Sequence, residues 1–347
     1  MSLIKFWNNY PGPTLLDYIK SLVWGSSTAI DTPPYTISTI QTDPPYNNSI
    51  HQLNGEEYIY TIIPNCIIPN DIRSAWMTDF KLYDIHLEPG TIILTLRSRS
   101  TGRIAATIAA KPFGHIRRNY LQLPMHSHLH YIDYFWTDKA LRGNGLGNFM
   151  LNAIRHSLSS INGGSSPVIF LKEGTPLSKW IPPLYSSVYI YKQFTGVGAA
   201  RQYTVQFISQ NTAQQFAAKW LGNSIDSLQQ VQVQIQEQRQ DTYYILWNNQ
   251  IIYYITIPGQ YGPDGRSKIA WITGMISSPR CRDYSVALDQ TGEFIAYSCE
   301  TRYIWADINF LKNNISQSGW LADGPFHIYA YDWNPIVFGT PINGFFN

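Results

Sequence analysis

The residues best suited to chemistry lie in one segment, 131–147, which reads YIDYFWTDKALRGNGLG. Two cations, Lys139 and Arg142, stand beside glycines at positions 143, 145 and 147. Glycine lets the backbone approach an anion, and the first N–H groups of a helix lack intrahelical partners and carry positive partial charge. The segment therefore predicts a site for a phosphate-bearing ligand. Its Arg-x-x-Gly-x-Gly spacing fits neither the dinucleotide fingerprint nor a P-loop.

The elements around this segment indicate an α/β layer. Alternating apolar residues predict strands at 91–98 and 103–110, joined by a hairpin turn at 99–102. A third strand is predicted at 130–137 and a buried strand at 167–171. Between these two, apolar residues recur at helical spacing and predict an amphipathic helix that ends at Asn162: Leu146, Phe149, Met150, Ala153, Ile154, Leu158 and Ile161.

The second half repeats this order more faintly and predicts a second, similar lobe. The predicted helices are 212–221 and 284–288, and the predicted strands are 243–247, 251–257, 269–276, 303–307 and 326–331. The Gln-rich segment 229–240 alternates like a strand, although its composition also suits a variable insertion. We predict three regions: an N-terminal arm (1–50) with a short helix at 15–23, a first lobe (51–200) and a second lobe (201–347).

Composition narrows the function classes. Hydrophobic residues make up 44% of the 347 residues and charged residues only 14%, which excludes a mainly disordered chain. A net charge of +2 argues against nucleic acid as the main partner. Neither a signal peptide nor an apolar run of transmembrane length is evident, so we expect a cytoplasmic protein that is not integral to a membrane. The three cysteines, far apart and odd in number, predict neither a disulfide framework nor a nucleophile.

The glycine-rich loop and its position between strand and helix resemble the acyl-CoA pyrophosphate loop of the GNAT N-acetyltransferase superfamily. Two further segments resemble one family within it, the N-myristoyltransferases. The N-terminal IKFW followed by YPGP is similar to their aromatic and basic arm, and residues 320–333, WLADGPFHIYAYDW, are similar to their closing strand. The resemblance spans nearly the whole chain.

This resemblance implies two GNAT-like lobes, mixed sheets flanked by helices in a pseudo-twofold arrangement. It implies a monomer that transfers a myristoyl group from acyl-CoA to the N-terminal glycine of a protein or peptide, without a metal. The arm would pack on the CoA through Lys5, Phe6 and Trp7. The thioester and pantetheine would lie along Tyr134, Phe135, Trp136 and Thr137, and the phosphates on Arg142, Gly143, Asn144, Gly145, Leu146, Gly147 and Asn148.

The resemblance also implies the catalytic groups. The base would be the C-terminal carboxylate, at Asn347, and the oxyanion donors would be the backbone N–H groups of Tyr134 and Phe135, where the strand bulges. An α-amine has a pKa of about 8, so a nearby carboxylate can accept its proton. The tail after Trp333 is apolar enough to enter the core; packing across a groove is the alternative.

Two positions depart from the family where it handles the substrate amine: Asp133 replaces an Asn and Phe170 replaces a Thr. Asp133 could hold the ammonium or be a buried hydrogen-bonded carboxylate. Two other functions therefore stay open, a short-chain GNAT acetyltransferase and a catalytically silent acyl-CoA or peptide binder. His126, His128 and His130 alternate as metal ligands on a strand would, but no third-ligand motif accompanies them, and we predict no metal.

Overall fold

The computed structural model describes residues 50–331 except for 54, 64–67, 119–125, 163–167, 178–182, 184, 197–204, 210, 214, 217–230, 236–241, 279 and 312–318. Its strands are β1 (Ile50–Leu53), β2 (Glu56–Ile63), β3 (Ile92–Ser98), β4 (Ile104–Arg118), β5 (His126–Thr137), β6 (Val168–Glu173), β7 (Tyr185–Gln193), β8 (Val205–Ile208), β9 (Val231–Ile235), β10 (Thr242–Trp247), β11 (Ile251–Thr256), β12 (Lys268–Ser277), β13 (Thr301–Asp307) and β14 (Leu321–Tyr331). The helices are α1 (Asn70–Asp79), α2 (Leu146–Asn162) and α3 (Tyr284–Ser298), with short 3₁₀ turns at Lys139–Leu141 and Ile308–Leu311.

One mixed sheet joins the strands of both halves. Its order is β1-β2-β3-β4-β5-β6-β14-β7-β13-β12-β11-β10-β8, and β9 pairs with the far end of β4. Most neighbours are antiparallel, but β5 runs parallel to β6 and β12 runs parallel to β13. In each case a helix, α2 or α3, connects the two parallel strands. The two lobes therefore contain the same strand, helix, parallel strand unit.

The two lobes exchange their last strands. After β6 the chain continues into β7, which pairs with β13 of the second lobe; after β13 it returns through β14, which pairs with β6 of the first lobe. β7 and β14 also pair with each other at the centre of the sheet. This reciprocal exchange confirms the predicted pseudo-twofold arrangement and makes the predicted two mixed sheets one continuous sheet.

Each connecting helix buries one face against its own lobe. On α2, Leu146, Met150, Ile154 and Leu158 are almost completely buried, as their spacing of four residues predicts. On α3, the residues that are buried against the second lobe are Ala287, Leu288, Thr291 and Ile295. No helix in the described part of the chain is long and apolar enough to cross a membrane.

The predicted strands and the single predicted helix of 91–172 are confirmed with shifted ends: β4 runs on to Arg118 and β5 starts at His126. α3 is ten residues longer than the helix predicted at 284–288, because it keeps one face buried beyond residue 288. β1, β2, α1, β7 and β8 were not predicted. Within the predicted helix 212–221 the described residues, 212, 213, 215 and 216, are helical. The predicted helix at 15–23 lies outside the described residues.

Candidate active site

The parallel pair β5 and β6 separates like the arms of a wedge. Hydrogen-bonded pairing covers only three positions, from His130↔Val168 to Ile132↔Phe170. Beyond that point β5 continues to Thr137, and β6 continues to Glu173 in partnership with β14 on its other side. Residues of both strands near that point, among them Asp133, Tyr134 and Leu171, line a cleft.

A β-bulge lies where the wedge opens. Asp133 pairs with Ala109 and Trp136 pairs with Thr107, so Tyr134 and Phe135 together oppose the single residue between those partners. Tyr134 has a φ of 46°, which costs a non-glycine residue of order 1–3 kcal/mol and persists only where the surroundings enforce it. The ring of Trp76 on α1 stacks on Tyr134 at 4.6 Å and supplies part of that enforcement. The bulge predicted at Tyr134 and Phe135 is thus present.

Asp133 interacts with both the bulge and a buried cation. Its Oδ1 accepts a hydrogen bond of 2.8 Å from the N–H of Tyr134, and its Oδ2 lies 2.8 Å from Nζ of Lys111. The same Nζ lies 3.8 Å from Glu88 and 4.9 Å from the centre of the Tyr134 ring. A predicted oxyanion donor, the N–H of Tyr134, is therefore bonded to the carboxylate of Asp133 in this structure.

Sequence reasoning missed Lys111 and Glu88. Lysine is rarely buried unless paired, yet the side chain of Lys111 is only 5% exposed and that of Glu88 only 8%. The sequence contains one sign of this burial. Lys111 directly follows the apolar run IAATIAA, so a charged residue continues a strand that is predicted to be buried.

A cleft of about 380 Å³ borders the bulge and receives residues from both lobes. Lys111, Asp133, Tyr134, Phe135 and Phe170 line it from the first lobe. The second lobe contributes Thr256, Pro258, Gln260 and Trp271, and Tyr189 of the exchanged strand β7 lines it as well. Asp133 and Phe170, the two predicted amine-site residues, thus face the same space, and Phe170 also stacks on Tyr329 at 5.6 Å.

The predicted phosphate loop connects β5 to α2 and is exposed. Gly143 and Gly145 have φ values of 84° and 80°, a left-handed backbone in which side chains are strained. A Cβ at either position would meet no atom within 4 Å, so the loop is open to solvent. Arg142 donates from Nε to the carbonyl of Thr137 at 3.2 Å, and the first turn of α2 carries no acidic residue. This combination suits an anion at the start of the helix.

The remaining predicted site residues are buried, hydrogen-bonded elsewhere or outside the described residues. Leu146 is buried, so only its backbone is available to a phosphate. Trp136 donates from Nε1 to Asp79 at 2.6 Å, a hydrogen bond that, with Lys139 nearby, lowers the pKa of that carboxyl. Lys5, Phe6, Trp7 and Asn347 lie outside the described residues, and so does the side chain of Asn148.

The described residues contain no group of three or more His, Cys, Asp or Glu side chains arranged to hold a metal ion. Of the three cysteines, Cys281 is buried and Cys299 is half-buried. Burial raises the pKa of both thiols, that of Cys299 to about 11, which disfavours the thiolate a covalent acyl-enzyme would need. Cys66 lies outside the described residues.

The chain is similar to known proteins in part of its sequence and in its fold. Residues 50–171 match the model of the Acetyltransferase (GNAT) family. Two structures of Saccharomyces cerevisiae N-myristoyltransferase with bound myristoyl-CoA superpose on the chain. One has a TM-score of 0.56 at 11% identity and covers 95% of this chain and 93% of its own. The other has a TM-score of 0.57 at 10% identity and covers 95% and 88%.

A third structure of the yeast enzyme, with bound myristoyl-CoA and inhibitors, has a TM-score of 0.54 at 11% identity and covers 94% of this chain and 89% of its own. No curated protein sequence matches this chain. The chain therefore has the two-lobed GNAT fold of N-myristoyltransferases, as its sequence predicted.

Proposed function

We propose that this protein is an acyl-CoA-dependent N-acyltransferase that moves a long-chain acyl group, myristoyl, to the N-terminal glycine amine of a protein or peptide. One observation carries the proposal: the bulged end of β5 borders the cleft between the lobes and leads directly into the glycine loop and α2. A thioester in the wedge would thus have backbone donors at its carbonyl, an anion site for its phosphates and a cleft for its acceptor.

The CoA would be held along the first lobe. The phosphates would meet Arg142 and the backbone from Gly143 to Asn148, and the pantetheine would follow the strand from Tyr134 to Thr137. Lys5, Phe6 and Trp7 of the arm (1–50) would cover the CoA, as the resemblance implies. The first lobe (51–200) would bind acyl-CoA, and the second (201–347) would complete the peptide site.

The transfer itself needs few groups. The neutral amine nitrogen attacks the thioester carbonyl, and the C–S bond breaks. One amine proton passes to a carboxylate, which returns it to the CoA sulfur, so that CoA leaves as its thiol. The C-terminal carboxylate, at Asn347, is the proposed base, and the N–H groups of Tyr134 and Phe135 are the proposed oxyanion donors. Because Asp133 holds the Tyr134 N–H, its carboxylate must turn away before that donor is free.

Asp133 and Phe170 are proposed to handle the acceptor amine. Acyl-chain length would be set by the depth of an apolar pocket, since each buried CH₂ contributes about 0.8 kcal/mol. We assign the reaction to a monomer in the cytoplasm on the resemblance to N-myristoyltransferases.

The test is mass spectrometry of a Gly-initiated peptide incubated with the protein and an equimolar mixture of C2 to C16 acyl-CoAs. We expect the C14 adduct to dominate, and the same peptide with a blocked N-terminus to stay unmodified. An acetyl adduct alone would instead identify a short-chain acetyltransferase. CoA binding without any adduct would identify a silent binder and contradict the proposal.

A further inference from the structure

The ammonium of Lys111 already occupies a position beside Asp133 that suits a substrate amine. Nζ of Lys111 lies 2.8 Å from Asp133 and 3.8 Å from Glu88. Lys111 and Glu88 are buried, whereas the side chain of Asp133 is 35% exposed and lines the cleft between the lobes. An amine that enters the cleft therefore reaches Asp133 before it reaches Glu88.

One ammonium is shared by two carboxylates in this group, because Nζ of Lys111 lies within 4 Å of both Asp133 and Glu88. An ammonium that binds Asp133 from the cleft would let Lys111 interact with Glu88 alone. Buried carboxylates are normally paired with a cation, so Glu88 favours that arrangement. A lysine ε-ammonium and a peptide α-ammonium are both N⁺–H donors and can replace each other at one carboxylate.

We propose that Lys111 is an exchangeable counter-ion for the acceptor amine. The α-ammonium of the acceptor takes the place of Lys111 at Asp133, and Lys111 shifts to Glu88, which is already within 4 Å. Glu88 and Lys111 are positioning residues in this exchange, which rests on the proposed function and deepens it.

The exchange also connects acceptor binding to the oxyanion donor. Asp133 holds the Tyr134 N–H through Oδ1 while it holds Lys111 through Oδ2. Exchange at Oδ2 alone would keep the Oδ1 bond, so release of the Tyr134 N–H requires that the Asp133 carboxylate turn toward the ammonium in the cleft. The donor thus becomes available when an acceptor is present, and acyl-CoA alone meets an occupied donor.

The test compares Glu88→Gln with wild type in steady-state kinetics at saturating myristoyl-CoA, with a Gly-initiated peptide varied. Without a carboxylate at residue 88, Lys111 stays on Asp133 and competes with the acceptor. Because a charge-assisted hydrogen bond contributes about 1.5–3 kcal/mol, we expect the KM for the peptide to rise about 10- to 100-fold, with a smaller change in kcat. Glu88→Asp, which keeps the carboxylate, should restore much of the affinity.

A matched control is Glu300→Gln, because Glu300 lies at the same 3.8 Å from Lys268 but in an exposed pair. Its KM should equal that of wild type. Thermal unfolding of each variant separates a folding defect from a binding defect. An unchanged KM in a folded Glu88→Gln variant would overturn the inference while leaving the proposed function intact.

Calorimetric titration of the peptide in the presence of CoA gives the same comparison without turnover. If wild type binds the peptide but transfers no acyl group, the proposed function fails alone, and a weaker Kd in Glu88→Gln still supports the exchange. If the Kd values of wild type and variant are equal, or if wild type binds no peptide, the exchange is wrong.

Discussion

Both lobes contain the strand, helix, parallel strand unit, and in both a backbone irregularity follows the last pair of the parallel strands. In the first lobe, the last parallel pair of β5 and β6 is Ile132↔Phe170, and the bulge follows at Tyr134 and Phe135. In the second, the last parallel pair of β12 and β13 is Ile272↔Ala306, and an extra residue, Thr273, follows directly. The backbone irregularity that opens the first wedge is thus repeated in the second lobe.

The loops that follow these bulges are different. The loop before α2 contains two glycines with positive φ and is exposed. The loop before α3, SPRCRD at 278–283, contains no glycine and ends in an acid beside the helix start. Two of its N–H groups are satisfied within the loop: Cys281 donates to the carbonyl of Ser278, and Arg280 donates to the hydroxyl of Ser278.

The end of β13 is bonded to β7, its neighbour on the side away from β12. At the end of β13, Asp307 accepts hydrogen bonds from Tyr185, Ser187 and the backbone N–H of Asn309. Burial raises the pKa of Asp307, although these hydrogen bonds oppose the shift. Within the described residues, the unit is therefore repeated without its glycine loop, and an acid, Asp283, precedes the second helix.

The largest expected effect concerns the tail that follows β14. β14 belongs to the second half of the chain but pairs with β6 of the first lobe, so the tail is proposed to serve the first lobe. Deleting residues 345–347 moves the C-terminal carboxylate back by about 10 Å along an extended chain. A misplaced proton acceptor typically costs about 10²- to 10⁴-fold, so we expect turnover to fall by that factor while acyl-CoA affinity is unchanged. Asn347→Ala keeps a terminal carboxylate and should remain active. Full turnover after the deletion would exclude the tail from the mechanism.

The next largest effect is expected at the bulge of β5. Phe135→Pro removes a backbone N–H that we propose as an oxyanion donor, and loss of one such donor costs about 10²- to 10³-fold in kcat. Phe135→Ala keeps the N–H and should lose far less, because the side chain is not the donor. Equal losses in both variants, with circular dichroism showing both folded, would contradict the assignment.

A smaller effect should follow from the glycine loop. Gly145→Ala places a side chain at a φ of 80°, a strain of about 1–3 kcal/mol that the loop relieves by moving. We expect acyl-CoA affinity to fall about tenfold. Gly265→Ala is the matched control, because its φ is 67°, its Cβ would also meet nothing within 4 Å, and it lies in a second-lobe turn. If both substitutions weaken acyl-CoA binding equally, the loop before α2 does not bind the CoA.

Local pattern was enough to predict the elements around the candidate site. The spacing of Leu146, Met150, Ile154 and Leu158 defines α2 because only one face of that helix is buried. α1 was missed because only Ile72 and Trp76 are buried on it, too few to establish a period. β7 was missed because its residues do not alternate between buried and exposed.

The charges of the site could not be predicted in the same way. Asp133 was identified through a family resemblance, but its partners are set by distant segments. Lys111 comes from the neighbouring strand β4, and Glu88 precedes β3. Their contact depends on strand register and burial, which the sequence does not express locally. The same holds for the exchange of β7 and β14 between the lobes.

The most direct test of the central claim, that only the first lobe binds acyl-CoA, is calorimetric titration of myristoyl-CoA into wild type, Arg142→Ala and Arg282→Ala. We predict one site per chain. Arg142→Ala should weaken it about tenfold or more at low salt and less at high salt, because the contact is between exposed charges. Arg282→Ala, in the corresponding loop of the second lobe, should bind as wild type does. Two sites per chain, or an equal loss in both variants, would contradict the claim.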